Sequence, residues 1–188
     1  KKTELLVVSK NRSLEELMPC IIEKNHKLFG ENRVQEAQNK FTKEIISKFD
    51  LRLNLIGPLQ TNKVDIALNL FNTIQTLDRP KLVKEIHKSM QKRKFPVVTK
   101  NFFIQVNIGD ENQKSGVDAD HLPALYEECL RLDLDINGLM CIPPANVPSD
   151  QYFEKMCMLR ESLNTNLKLS MGMSSDYEVA LKFKSDII

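Results

Sequence analysis

The chain has 188 residues, of which 41% are hydrophobic and 28% charged, and its formal net charge is +2. This length and composition predict one globular domain, spanning residues 1–188, with a substantial core. The small net charge gives no indication of a nucleic-acid partner, and no apolar run approaches the roughly 18 residues of a membrane span.

The cysteines and the first residues favour a cytoplasmic protein. Cys20, Cys129, Cys141 and Cys157 lack the spacing of a C-x-x-C motif or a zinc site, so we expect reduced thiols and no metal. The apolar run near the start is too short for a signal peptide. A basic stretch at residues 88–94 (KSMQKRK) is explained more simply by a solvated helix end than by a phosphate-backbone site.

The first half of the chain alternates apolar runs with amphipathic segments. Residues 5–9 (LLVVS) form a continuous apolar run, which is typical of a parallel strand covered on both sides. Ser13 and Glu16 form a predicted capping box at the start of a helix that ends near Lys24. The elements predicted next are a strand at 28–29, a helix at 32–48, a strand at 51–56, a helix at 62–71 and a strand at 73–77.

The second half repeats this alternation, and Pro80 suits the first turn of its first helix. The elements predicted after that helix are a strand at 102–107, a helix at 118–132, a strand at 136–142, a helix at 149–163, a strand at 167–171, a helix at 175–182 and the start of an eighth strand at 187–188. Repeated βαβ units predict an α/β fold with a parallel sheet. Seven units and the start of an eighth favour a (β/α)8 TIM-type barrel, and an open sheet of five to seven strands is the alternative.

Polar residues follow the predicted strands, where a barrel has its active face. Lys10 follows the first strand, and a partly desolvated lysine amine can attack an aldehyde, although a lysine that merely extends to solvent is the alternative. Residues 170–176 (SMGMSSD) form a turn before a helix, where amide groups and the Ser174 or Ser175 hydroxyl could bind phosphate; a plain helix cap is the alternative. An aldehyde-capturing lysine and a phosphate-binding turn are what pyridoxal 5′-phosphate needs.

Several motifs occur in order along nearly the whole chain. They are VVSK (7–10), FGENRVQE (29–36), LIGPLQTNK (55–63), QVN (105–107) with KSG (114–116), GLMCIPP (138–144) and LSMGMSSD (169–176). With these motifs the sequence resembles the pyridoxal phosphate homeostasis proteins, which are single-domain relatives of the alanine racemase N-terminal barrel. The ordered set is far more specific than any one motif.

The resemblance implies a fold-type-III barrel with pyridoxal 5′-phosphate at its mouth. Lys10 matches the Schiff-base lysine, Asn32 lies beside the cofactor, and Ser174 matches the serine of the phosphate-binding segment. The other expected cofactor-binding residues are Asn54, Ser170, Met171 and Gly172. The family implies a monomer or weak dimer that carries or buffers the cofactor as a reversible aldimine, without established substrate turnover and with cofactor-dependent enzymes as candidate clients.

The chain departs from the family pattern at particular positions. Asn54 stands where a histidine is common, and Lys184 and Asp186 stand where the family has glycine and threonine, which would place a carboxylate near the phosphate. The sequence also lacks the R-I-G segment that follows in the family and the helix that precedes the first strand. A barrel without most of its eighth strand would expose two strand edges, so we expect the sequence to be part of a longer protein.

Two other functions stay open on the sequence alone. An amino-acid racemase would need a second acid–base group, and the three tyrosines, Tyr126, Tyr152 and Tyr177, all fall in helical patterns that favour packing. A cofactor-free interaction protein on the same scaffold would agree with Lys184, Asp186 and the absent segment.

Overall fold

A computed structural model describes residues 2–92, 97–111 and 113–188 of the chain. Within these residues, seven parallel strands form one sheet, and their order in the sheet is their order in the sequence. The strands are β1 (Val7–Val8), β2 (Leu28–Glu31), β3 (Arg52–Leu55), β4 (Thr73–Leu77), β5 (Asn101–Val106), β6 (Ile136–Cys141) and β7 (Lys168–Ser170). This order confirms the prediction of repeated βαβ units and rules out a doubly wound sheet, whose strand order reverses.

Helices connect the strands. They are α1 (Leu14–Ile22), α2 (Val34–Lys40), α3 (Lys43–Phe49), α4 (Val64–Leu70) after a 3₁₀ turn at Thr61–Lys63, α5 (Pro80–Gln91), α6 (Leu122–Arg131), α7 (Asp150–Leu163) and α8 (Tyr177–Lys182). Among the described residues, no helix is both long enough and apolar enough to cross a bilayer. Lys88 of the basic stretch lies on α5, whereas residues 93 and 94 lie outside the described residues.

The sheet closes into a barrel through residues 186–188, which we call the closing segment. Ile187 pairs in parallel with Glu4 on one side and with Ser170 on the other. The Leu6 amide donates to the Ile188 carbonyl at 2.7 Å, and the Met171 amide donates to the Ile187 carbonyl at 3.1 Å. The expectation of two exposed strand edges is therefore wrong, because three residues hydrogen-bond to both edges. The architecture is a (β/α)8 TIM-type barrel with a very short eighth strand.

Side chains alternate between two apolar layers along each strand. Leu28 faces the barrel interior, whereas its neighbour Phe29 packs between the sheet and the helices. The inner cluster consists of Leu6, Leu28, Phe103, Met140 and Ile187. These side chains fill the barrel as expected for a small β/α barrel, so a ligand site has to lie above them, at the carboxyl ends of the strands.

Two predictions about the first strand and its helix have different outcomes. The capping box is confirmed, since Ser13 Oγ accepts from the Glu16 amide at 3.3 Å and Glu16 Oε2 accepts from the Ser13 amide at 2.7 Å. The expected cover on both faces of residues 5–9 is wrong, because Leu5 is exposed on the outer face and Val8 is exposed at the mouth. α1 ends at Ile22, slightly before the predicted end.

The predicted helix over residues 32–48 is two helices, α2 and α3. Thr42 separates them: its Oγ1 accepts from the Ile45 amide at 3.4 Å and so caps the start of α3. α8 likewise begins at Tyr177 and not at Ser175, because Asp176 Oδ1 accepts from the Met173 amide at 2.6 Å and holds the preceding residues in a turn.

Candidate cofactor site

Lys10 lies in an exposed turn at the carboxyl end of β1. The Arg12 amide donates to the Ser9 carbonyl at 3.2 Å, and Asn11 adopts a positive φ of 58° between them. The Lys10 amine makes no hydrogen bond or ion pair within the described part of the chain. An unengaged amine on a flexible side chain is available to a ligand at the barrel mouth.

Two other lysines near the predicted site are engaged. Lys114 Nζ is 2.6 Å from Glu111 Oε1 and donates to the Pro143 carbonyl at 3.2 Å. Lys63 Nζ donates to Gln35 Oε1 at 3.5 Å. Of Lys10, Lys63 and Lys114, Lys10 is therefore the one whose amine makes no hydrogen bond or ion pair among the described residues.

A buried polar cluster lies directly behind the Lys10 turn. Lys40 Nζ donates to Glu31 Oε1 and to the Ser9 carbonyl, each at 2.6 Å, and Ser9 Oγ donates to Glu31 Oε1 at 2.7 Å. Glu36 Oε1 accepts from the Asn11 amide at 2.6 Å, and this hydrogen bond is the main cause that lowers the pKa of Glu36. Sequence reasoning missed this cluster, although the i,i+4 spacing of Glu36 and Lys40 on one helix was a signal for the pair.

Asn32 and Asn54 come from neighbouring strands. Asn32 lies between β2 and α2, where its main chain packs against Gly57; a Cβ on Gly57 would lie 2.2 Å from the Asn32 carbonyl oxygen. Asn54 is buried in β3, where it pairs with Gly30 of β2 on one side and with Thr73 of β4 on the other. Its neighbours along the strand, Leu53 and Leu55, pack on the outer face of the sheet. Asn54 therefore faces the barrel interior, while Asn32 stands at the rim.

The turn after β7 presents free amide groups. Gly172 has a φ of 108°, and a Cβ there would lie 2.7 Å from the Ala180 Cβ, so glycine is required. The amides of Gly172, Ser174 and Ser175 donate no hydrogen bond within the described part of the chain. Ser174 and Ser175 are exposed. Several free N–H groups and hydroxyls in one turn make a donor set suited to an anion.

Ser170 and Met171 lie deeper than this turn. Ser170 Oγ donates to Gln75 Oε1 across the barrel interior at 2.7 Å. The Met171 side chain is buried between the sheet and the helices. Both residues hold the base of the turn, and their contact with a ligand stays a prediction.

Two buried glutamines carry polar atoms without partners. Gln75 Nε2 and Gln105 Oε1 have no hydrogen bond within the described residues, while Gln105 Nε2 donates to the Ser115 carbonyl at 3.2 Å. Buried polar atoms are normally hydrogen-bonded, so these two atoms are open to a polar partner such as water. Sequence reasoning noted Gln105 but missed Gln75; its polar side chain at an interior position of TIQTL was the available signal.

The walls of the mouth are apolar. Val8 alternates with the inward-facing Leu6, and Ile142 alternates with the inward-facing Met140, so both occupy interior positions. They are nevertheless 46% and 41% exposed. The carboxyl ends of the strands thus combine apolar walls, an amine that follows β1 and amide donors that follow β7, which is a combination typical of small-molecule sites.

Comparisons with known proteins find relatives of this chain, although no protein-family model matches it. The pyridoxal phosphate homeostasis protein of Aquifex aeolicus is 39% identical over 171 residues, which cover 86% of this chain and 73% of that protein. The chain belongs to the pyridoxal phosphate homeostasis protein family. A second member, from Pasteurella multocida, is 33% identical over 98% of this chain and 82% of its own length.

Solved structures of other proteins have a similar fold. PipY of Synechococcus elongatus PCC7942 without PLP matches with a TM-score of 0.85 at 29% identity, over 99% of this chain and 89% of PipY. PipY with PLP bound matches with a TM-score of 0.82 at 27% identity, over the same shares of the two chains. An alanine racemase of Clostridium difficile 630 matches all of this chain with half of its own at 13% identity and a TM-score of 0.71, which shows the shared barrel fold.

Proposed function

We propose that this family member binds pyridoxal 5′-phosphate at the barrel mouth and acts in pyridoxal phosphate homeostasis, without turning over a substrate. The observation that carries the proposal is the free Lys10 amine in the same mouth as the free amides of the turn after β7. The similarity to PipY, whose structure holds PLP, and to curated members named for pyridoxal phosphate homeostasis supports it.

The donors at the mouth fit the chemical groups of this cofactor. Lys10 supplies the amine, and the Gly172 and Ser174 amides with the Ser174 hydroxyl supply donors for the phosphate. Asn32 and Asn54 offer amide groups beside the ring, which the apolar Val8 and Ile142 walls would flank. When bound, pyridoxal 5′-phosphate supplies an aldehyde that reacts reversibly with a primary amine.

A carrier is favoured over an amino-acid racemase. Tyr126 and Tyr152 pack against the outer core, and the Tyr177 hydroxyl donates to Glu178 Oε1 at 3.4 Å, so the tyrosines give no support to a second acid–base group. If the protein is a carrier, we expect it to deliver the cofactor to pyridoxal-phosphate-dependent enzymes in the cytoplasm. We propose these enzymes as its partners, with the chain acting as a monomer or weak dimer.

The direct test is to mix the purified protein with pyridoxal 5′-phosphate, reduce with borohydride and map the modified lysine by mass spectrometry. We expect stoichiometric label on Lys10. Lys10→Ala should lose the label and unfold at the same temperature, because an exposed side chain without partners among the described residues contributes little packing.

Lys63→Ala is the matched control and should keep the label on Lys10. Label on Lys63 or Lys114 would show that another lysine captures the aldehyde. A wild-type protein that takes no label and binds no cofactor would overturn the proposal and favour a cofactor-free interaction protein.

A further inference from the structure

Helix α2 holds the peptide groups on both sides of Lys10. On one side, Lys40 Nζ donates to the Ser9 carbonyl at 2.6 Å. On the other side, Glu36 Oε1 accepts from the Asn11 amide at 2.6 Å. Lys40 Nζ and Glu36 Oε1 are themselves 3.3 Å apart, so one ion pair on one helix face clamps the whole turn.

The clamp is anchored in the barrel wall. The Lys40 and Glu31 side chains are only 7% and 0% exposed, and they form an ion pair at 2.6 Å. Ser9 Oγ donates to the same Glu31 oxygen at 2.7 Å. Buried charges are stable only while they stay paired and hydrogen-bonded, and charge-assisted hydrogen bonds are stronger than neutral ones. The Lys40 ammonium therefore has little freedom to move.

The turn has a reason to need a clamp. Asn11 adopts a φ of 58°, which costs energy for residues other than glycine even though asparagine tolerates it better than most. Without the Glu36 hydrogen bond the turn would gain access to other backbone conformations. The Lys10 side chain starts from this turn, so its amine would move with it.

We propose that Lys40 and Glu36 are positioning residues that fix the Lys10 turn and thereby set the rate at which Lys10 captures the cofactor aldehyde. The inference rests on the proposed function, and it gives helix α2 a role in the reactivity of Lys10, which lies in the turn after β1. A displacement of about 1 Å at a reacting group can cost about a hundredfold in rate, so a loosened turn should react at least tenfold more slowly, to order of magnitude.

The test uses Glu36→Ala and Glu36→Gln as a matched pair. Alanine removes the acceptor of the Asn11 amide, whereas glutamine keeps a side-chain oxygen at the same place. We expect Glu36→Ala to slow borohydride-trapped labelling of Lys10 by about tenfold or more, and Glu36→Gln to restore most of the rate. Lys40→Met should be slowed as well, and the exposed Lys43→Met should label like the wild type.

Hydrogen exchange of the Asn11 amide in the cofactor-free protein gives a second readout. It should speed up in Glu36→Ala and Lys40→Met and stay slow in Glu36→Gln. Glu36 is partly exposed, so Glu36→Ala should fold even if Lys40→Met, which leaves Glu31 buried without its partner, does not.

The outcomes separate the two proposals. If Lys10 is labelled in Glu36→Ala at the same rate as in the wild type, the positioning role is overturned and the proposed function stands. Equal slowing in Glu36→Ala and Glu36→Gln would also overturn it, because glutamine keeps the acceptor. A wild-type protein without label would overturn the proposed function itself, and unchanged Asn11 exchange in Glu36→Ala would then reject the clamp independently.

Discussion

Reactive side chains in this protein differ sharply in how far water reaches them. The Lys10 amine is open at the mouth, whereas two cysteine thiols are sealed in the core. Burial raises the pKa of Cys129 to about 12, and it raises the pKa of Cys141 even more strongly, with nearby Asp176 adding to the effect. Both thiols are therefore protonated at neutral pH, and the protonated form is a poor nucleophile.

We expect iodoacetamide at pH 8 to leave Cys129 and Cys141 unmodified in the folded protein and to modify both after unfolding in urea. A raised pKa means that the thiolate of Cys129 forms in the folded state only as the pH approaches 12. Peptide mapping by mass spectrometry measures each site. The half-buried Cys20 on α1 is the internal reference and should react first. Rapid labelling of Cys129 without denaturant would show that its site opens to water.

Candidate site residues were predictable to different degrees, and their contact with the cofactor stays a prediction. Lys10 and Ser174 could be singled out because each follows a strand, and Asn32 because the resemblance implies its place beside the cofactor. Lys40 could not, because a glutamate and a lysine four residues apart on a helix usually lie on an exposed face; here that face packs behind the Lys10 turn. Only the three-dimensional arrangement turns this ordinary pair into a buried cluster.

At the scale of elements, α8 ends in a motif that favours glycine. The Ser185 amide donates to the Ala180 carbonyl at 3.1 Å, and the Lys184 amide donates to the Leu181 carbonyl at 3.0 Å, which is the Schellman pattern of a helix end. Lys184 is the left-handed residue of this motif, with a φ of 57°. A lysine in this conformation carries a steric cost that glycine avoids.

Lys184→Gly should therefore raise the free energy of unfolding by about 1 kcal/mol. The control is Lys182→Gly, which places the same change inside α8 and should lower stability by about 0.5–1 kcal/mol. Urea unfolding measures both. A loss of stability in Lys184→Gly would mean that the lysine side chain contributes more than its backbone conformation costs.

Element types were easier to predict than element ends. The alternation of apolar runs predicted every strand of the sheet, because parallel strands in a barrel are short and apolar. The break between α2 and α3 was missed because residues 32–48 all fit a helical pattern. The Thr42 side chain caps a new helix there, and a cap of this kind is only slightly more favourable than continuing the first helix. The start of α8 was misplaced for a similar reason at Asp176.

At the scale of the whole molecule, barrel closure depends on very few residues. From the sequence, residues 187–188 read as the start of a strand, and nothing local could show that they bond to both β1 and β7. Ser185 helps to hold them, since its buried hydroxyl donates to the Met171 carbonyl at 2.8 Å. Closure is thus a property of contacts between distant parts of the chain.

Asp186 belongs to this closure. It is buried, and its Oδ2 accepts from the Leu169 amide at 2.9 Å, within the wall between β7 and the closing segment. The aspartate that stands in place of the family's threonine therefore hydrogen-bonds within the barrel wall. That the Asp186 carboxylate also weakens phosphate binding stays a prediction. Asp186→Thr should then bind the cofactor more tightly than the wild type, and a binding titration would measure it.

Ile187 fills the barrel interior where the ring closes, in one apolar cluster with Leu6 and Met140. Ile187→Ala should lower the free energy of unfolding by about 2–5 kcal/mol, because it leaves a cavity that the closed ring cannot collapse to fill. The exposed Ile22→Ala is the control and should change stability by less than about 0.5 kcal/mol.

Native-state hydrogen exchange would show whether this loss is local to the closure. The Leu6 amide, which donates to the Ile188 carbonyl, and the Ile188 amide, which donates to the Glu4 carbonyl, should lose protection in Ile187→Ala before the amides of β4 and β5 do. Unchanged protection at Leu6 and Ile188, together with a small change in stability, would mean that the inner core holds the ring without help from Ile187. Loss of protection at these two amides alone would show that three residues keep the edges of β1 and β7 from acting as open strands.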